Sequence, residues 1–295
     1  MRNIVAVKLA LILFALVGAS CSESKLQETR VLDSVVVKDD LGREVRLPQR
    51  IGSAVSLAPS ATEMLFAAGA GDRIVGVTTY CNYPEAAKSI EKVGDTQTPN
   101  IERIIALKPD VIFVSTASQL ETFMQTLEQQ NIAVYVTDPK GIDGVTENLR
   151  VLGRLFGTEE QTDRLADELQ NRAIHVYENV NGQPRPKVFM QISKEPLFTI
   201  GSDAFLTDVI ARAGGESVTK DVPSGFPKLS KETASAMNPD VIILSDSEDN
   251  REPNDVFRGS PAVVNGRVYK INADIISRPG PRLVDALEQI ADFLH

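Results

Sequence analysis

At 295 residues with 42% hydrophobic side chains, the chain is long enough for one large domain or two of ordinary size, and apolar enough for a sizeable core. Aspartate and glutamate total 40 against 31 lysines and arginines, a formal net charge of −9, the opposite of the basic surface that a nucleic-acid partner demands. His175 and His295 are far apart and the only cysteines are Cys21 and Cys81, so neither a clustered metal site nor a nucleophile–base pair is legible.

The N-terminus reads as an address. Arg2 and Lys8 sit around an apolar run from Leu9 to Val17, and Gly18, Ala19 and Ser20 precede Cys21. This is the layout of a signal peptide over residues 1–20, too short for a comfortable membrane span. Small residues directly before a cysteine resemble the bacterial lipoprotein signal, in which that cysteine becomes lipidated. Gly18 departs from the leucine-like residue preferred there. Lipidation of Cys21 places the protein in the periplasm or at the cell surface, held to the membrane, and leaves Cys81 without a disulfide partner. Ordinary cleavage near Ala19 or Ser20 is the other reading. Residues 21–34 are then a polar tether.

An N-terminal lobe is expected over 35–157. Val35–Val37 and Arg43–Leu47, joined through Asp39–Gly42, predict a small hairpin. Val55–Leu57 predicts a strand, and Ser60-Ala-Thr-Glu63 a capping box opening a short helix. Ile74–Val77 is a further strand, delivering Thr78–Pro84 into a loop. Residues 123–127 read as the apolar side of a helix and Ile132–Val136 as another strand. Val145, Leu149 and Leu152 mark one helix face, ending near Gly157. Strand and helix alternate, which indicates a mainly parallel sheet covered by helices.

Thr158-Glu-Glu-Gln161 is read as a second capping box, followed by a helix to about Val180. Leu165, Leu169, Ala173, Val176 and Val180 form a helical stripe along it. Some 20 residues at ~1.5 Å each give roughly 30 Å, enough to cross a small domain. Residues 158–180 therefore read as a rigid connector and 181–295 as a C-terminal lobe. That lobe contains a strand at Val188–Gln191, a helix at Leu206–Ala213, a loop at Asp221–Pro227, a strand at Val268–Ile271 and a C-terminal helix bearing Leu283, Leu287, Ile290 and Leu294.

One stretch occurs twice. Asn100–Ser115 returns as Ser230–Ser245, offset by 130 residues with seven of sixteen positions identical. Each copy predicts an N-cap, a short helix stopped by Pro109 or Pro239, and a buried parallel strand. The expected fold is thus α/β, with two similar lobes of mainly parallel sheet flanked by helices and joined by one long connector helix. Glu102 and Glu232 fall at the second helical position of each copy. They read either as charges suited to a helix N-terminus or as a pair of anionic knobs, one per lobe.

Val55–Glu63, Val77–Pro84, the two repeat units and Arg278-Pro-Gly-Pro-Arg282 resemble the helical-backbone class of periplasmic substrate-binding proteins. The resemblance covers about residues 45–295 and is nearest to the cobalamin-binding members. It implies a non-enzymatic monomer that needs neither cofactor nor metal. It implies a corrinoid held between the lobes, with haem or a ferric siderophore as the alternative ligand of the class. It implies a permease dimer with its ATPase as partner, onto whose arginines Glu102 and Glu232 would dock. The ligand-contacting positions it implies are Tyr80, Phe198, Phe226 and the segment Asp274, Ile275, Ile276, Ser277 and Arg278. This chain departs from the pattern at Ile275 and Ile276, where aromatics are expected, and at Thr96, where a tryptophan is expected. Read from the residues alone, Arg278 is a partner for Asp274 and the aromatics are half-buried loop anchors. An enzyme using Ser60, or a sensor lipoprotein of the same fold, is the rival reading.

Overall fold

The computed structural model describes residues 34–116, 124, 126, 127, 129, 130 and 132–295. The expected leader, Cys21 and the tether up to residue 33 lie outside the described residues, as does Phe123 of the expected 123–127 helix. Strands β1 (Ser34–Lys38) and β2 (Glu44–Pro48) pair antiparallel, as the alternation of Val35–Leu47 predicts. Asp39 holds their turn: its carboxylate accepts from the backbone N–H of Leu41 and Arg43 and from the Arg43 guanidinium.

The N-terminal lobe is a four-stranded sheet. Strands β3 (Ala54–Ser56), β4 (Ile74–Val77), β5 (Val111–Ser115) and β6 (Ala133–Thr137) lie in the order β4-β3-β5-β6, all parallel. Helix α1 (Pro59–Ala67) follows β3, and α2 (Ile101–Ala106) precedes β5. Val111 to Val114 are fully buried, which explains why β5 is apolar throughout instead of alternating.

Helix α3 (Gly141–Phe156) ends at Gly157, whose φ of 69° is the left-handed conformation glycine adopts without strain. Helix α4 (Glu159–Val180) is the long helix expected between the lobes. α3 lies along it. The C-terminal lobe contains β7 (Lys187–Ser193), β8 (Phe198–Thr199), α5 (Phe205–Arg212), β9 (Glu216–Ser217), α6 (Lys231–Ala236), β10 (Val241–Asp246), α7 (Pro261–Val264), β11 (Val268–Asn272), α8 (Ala273–Ile276) and α9 (Leu283–Leu294). Its sheet runs β11-β10-β7-β8 with β9 also on β7, and only β8 is antiparallel.

The repeated stretch folds the same way twice. The Asn100 side chain accepts from Arg103 N–H at 2.9 Å, and the Ser230 hydroxyl accepts from Thr233 N–H at 3.1 Å. Lys108 and Asn238 then turn the chain with φ of 48° and 43° before each proline. Asp110 accepts from Gly52 N–H at 2.7 Å and Ser53 N–H at 2.9 Å, while Asp240 accepts from Lys187 N–H at 2.9 Å. The shared Pro-Asp pair thus ends one helix and ties the following strand to the residues that lead into β3 or open β7.

Both expected capping boxes are corrected. α1 begins at Pro59, where the missing N–H costs nothing, and its N-cap is Ala58 with no side-chain cap. Ser60 and Glu63 are thereby released from local roles. Thr158 does precede α4, but its hydroxyl donates to the carbonyl of Ala68 at 2.6 Å instead of capping its own helix. In each case a tertiary arrangement displaces the local bond.

The paired helices reach into the C-terminal lobe. Asp143 of α3 binds Arg212 of α5 at 2.6 Å, and Arg172 of α4 binds Asp285 and Glu288 of α9, each at 2.6 Å. Arg172 holds the Glu288 carboxyl below its usual range, although burial acts the other way. Where α3 meets α4, Gly153 faces Thr162 so closely that an added Cβ would collide with the threonine hydroxyl. Gly153→Ala is expected to lower the unfolding free energy by about 1–3 kcal/mol through this overpacking. A thermal melt unchanged from the parent would show that the helix pair has room to spread.

Candidate functional site

In open parallel sheets the loops beyond the carboxyl ends of the strands form the binding crevice. Here the crevice lies between the lobes and encloses a cavity of about 530 Å³. The N-terminal lobe contributes Ser60 after β3, Ser115 at the end of β5, and Thr137, Asp138 and Lys140 at the end of β6, with Thr96 from the preceding loop. The C-terminal lobe contributes Asp203 and Phe205 at the start of α5, Phe226 from the 221–227 loop, and Ser277 and Arg278 after α8. Two aromatic rings, hydroxyls and a few charges make up the wall.

The cations are already paired. Lys140 contacts Asp138 at 2.6 Å, and Asp203 accepts from the Ser202 hydroxyl at 2.9 Å. Arg278, only 8% exposed, donates to Glu63 at 3.1 Å, to the Asn82 side-chain oxygen at 2.7 Å and to Asp274 at 2.7 Å. Glu63 projects from α1 and is 4% exposed. It also accepts two bonds from Arg282, one of them at 2.9 Å. Burial opposes the Arg282 charge, yet the Glu63 carboxylate holds the guanidinium above its usual range. Arg282 also sits over the Tyr83 ring, 3.9 Å from its centre. A buried carboxylate of one lobe is therefore shared by two arginines of the other.

The residues expected at the ligand are dispersed unevenly. Phe226, Ser277 and Arg278 line the cavity, and Phe226 is 46% exposed. Tyr80 is 59% exposed in the loop that Asn82 ties to Asp274 at 3.2 Å, outside the enclosed volume. Asp274 serves Arg278 and Asn82. Phe198 is half-buried in β8, bridging toward Lys228. Ile275 packs partly against the core, and Ile276 is 2% exposed within it. The ligand contact expected of Ile276 is corrected to packing. Isoleucine at these two positions suits burial, which accounts for the departure from aromatics.

Sequence reasoning missed Glu63, Asn82, Phe205 and the Asp138–Lys140 pair as site residues. Glu63 carries no distinguishing signal, because a glutamate early in a helix looks like a helix-end charge. Phe205 reads as an ordinary apolar first residue of α5. Glu102 and Glu232 are both exposed at the second positions of α2 and α6. Bonds to the backbone N–H of Glu232 itself and to the Ser230 hydroxyl hold the Glu232 carboxyl below its usual range, so it is anionic at neutral pH. Among the described residues no group of His, Cys, Asp and Glu is arranged to hold a metal ion, and no helix is long and apolar enough to cross a membrane.

Residues 55–275 match the model of the periplasmic binding protein family. The vitamin B12-binding protein of Pectobacterium carotovorum is 34% identical over 251 residues, covering 84% of this chain and 89% of that protein. An uncharacterized ABC transporter substrate-binding lipoprotein of Bacillus subtilis, YvrC, is 29% identical over 301 residues, covering 97% and 95%. Among solved structures, the periplasmic vitamin B12 binding protein BtuF of Vibrio cholerae superposes with a TM-score of 0.73 at 30% identity, covering 83% of this chain and 96% of that one. A periplasmic heme binding protein from Pseudomonas aeruginosa has the same fold, with a TM-score of 0.74 at 22% identity over 83% and 92%.

The shared carboxylate makes a graded expectation. Arg278→Met leaves Glu63 with Arg282 and is expected to lower the unfolding free energy by about 1–3 kcal/mol. Adding Arg282→Met strands a buried carboxylate, at an expected cost of about 3–5 kcal/mol. Urea titrations of both variants check this; equal losses would mean that Arg282 contributes nothing.

Proposed function

Because the chain belongs to the periplasmic binding protein family, whose members are non-enzymatic transport components, we propose that it captures cobalamin or a related corrinoid between its lobes. As a substrate-binding protein of an ABC transporter it works with a permease and an ATPase. The observation that carries the ligand reading is the charge balance of the cleft. Lys140 contacts Asp138, and Arg278 contacts Glu63 and Asp274, so both cations that line the cavity are already in contact with carboxylates. A corrinoid presents amides, which bond to hydroxyls and paired charges without demanding a free cation. Haem brings two carboxylates, and anionic siderophores more, and desolvating an unmatched charge is costly. Vitamin B12-binding relatives at 30% identity and above support the same reading.

Phe205 and Phe226 supply flat apolar walls, and polar groups converging on them fix orientation. Tyr80 lies outside the lining, and its exposed ring is available for stacking on a ligand that extends beyond the cavity. Tyr80 and Tyr83 are also the phenols that haem iron would use, which keeps haem as the second reading to be tested. Lipidation at Cys21 would hold the protein at the membrane face where its permease works. In that setting Glu102 and Glu232, one per lobe and both exposed, are the docking charges.

The ligand is identified by incubating the protein with aquocobalamin, haemin and a ferric siderophore, desalting, and recording visible spectra. Retention of corrinoid at about one per protein is expected; retention of haem or siderophore with loss of corrinoid overturns the reading. Phe226→Ala should weaken corrinoid binding by about fivefold, the equivalent of ~1 kcal/mol, and leave the melting temperature nearly unchanged. Glu102→Arg combined with Glu232→Arg should leave folding and ligand affinity intact but abolish import in cells that depend on this protein, with each single change intermediate. Parental import rates from the double variant would reduce both residues to helix-end charges.

A further inference from the structure

Glu63 touches no part of the cavity, caps no helix and is 4% exposed. Its carboxylate is spent wholly on Arg278, which lines the cavity, and on Arg282 behind it. We infer that Glu63 sets the charge selectivity of the cleft: by neutralising Arg278 and Arg282 from behind the wall, it makes the site accept neutral ligands and reject anionic ones. The inference rests on the reading that ligand binds in this cleft.

The local charges show why one residue has this control. Arg278 and Arg282 face two carboxylates, Glu63 and Asp274. Asp274 is 43% exposed at its side chain, so solvent screens it, whereas Glu63 is enclosed. Asn82 contributes a neutral acceptor only. Removing the Glu63 charge leaves Arg282 without its carboxylate and Arg278 with Asp274 alone, so the cluster behind the wall gains one positive charge close to the guanidinium that faces the ligand. In such surroundings a unit charge acts strongly over a few ångströms. Holding the lobes together does not by itself demand this charge, because buried ion pairs are often replaceable by packed apolar residues of similar volume without loss of stability. Selectivity depends on it.

The test uses Glu63→Gln, which keeps the shape and one acceptor oxygen while removing the charge. Dissociation constants are measured for a matched pair, cyanocobalamin and its monocarboxylic acid derivative, with haemin as a third probe. The parent protein should prefer the neutral corrinoid. Glu63→Gln should shift that preference toward the acid by about tenfold or more at low ionic strength, and the shift should shrink in salt. Adding Arg278→Met, which removes one cation and restores the net charge of the cluster, should return the ratio toward the parental value. A merely structural role would weaken both corrinoids alike, and an unchanged ratio in folded Glu63→Gln overturns the inference. If Glu63→Gln does not fold, Arg282→Met leaves the enclosed Glu63 charge in excess beside Arg278; the preference for the neutral corrinoid should then rise, and an unchanged ratio overturns the inference. A parent protein that retains no corrinoid ends the corrinoid reading alone. Haemin then decides the inference, since Glu63→Gln should retain it more tightly than the parent, and equal retention overturns the inference.

Discussion

A single carboxylate, Glu63, is shared between Arg278 and Arg282 across the meeting of the two lobes, and the rest of the site is arranged around that contact. Alone, each of these charges is expensive to bury; together they form one hydrogen-bonded cluster with Asn82, Asp274 and the Tyr83 ring. The cluster holds the loop after β4 and the segment between α8 and α9 against α1. The start of α1 and the segment between α8 and α9 form one side of the cleft. Their mutual position, and so the shape of the cavity, follows from satisfying these charges.

The duplicated helix–strand unit provides the frame. In each lobe a capped short helix ends at a residue in the left-handed region, a proline stops it, and an aspartate pins the following strand. The same motif therefore places Glu102 and Glu232 at equivalent exposed positions on two lobes that otherwise differ in their edge strands. The helix pair α3 and α4 joins the lobes by side-chain packing and ion pairs, not by crossing strands. Bending such a pair would stretch its backbone hydrogen bonds and separate the close approach at Gly153.

Hydroxyls from both lobes, two aromatic rings and paired cations line the cavity within a largely apolar wall.

Much of this was legible in the sequence because it depends on local periodicity. The apolar runs of β5 and β10, the stripe of α4, the caps at Asn100 and Ser230 and the repeat itself all follow from the conformations that a few consecutive residues favour. Resemblance of the surrounding motifs also singled out Phe226, Ser277 and Arg278, which line the cavity. The pairing of Glu63 with arginines 215 and 219 residues away had no local signature. Ser60-Ala-Thr-Glu63 satisfied the pattern of a cap, and only the start of α1 at Pro59 freed its glutamate. Thr158 likewise met a carbonyl of another helix, and Ile276 met the core. Local bonds and long-range bonds draw on the same donors and acceptors, and sequence proximity favours the local ones only until the chain packs. Tertiary structure decided which of them formed, because burial makes an unmatched charge or hydroxyl cost more than a lost helix cap.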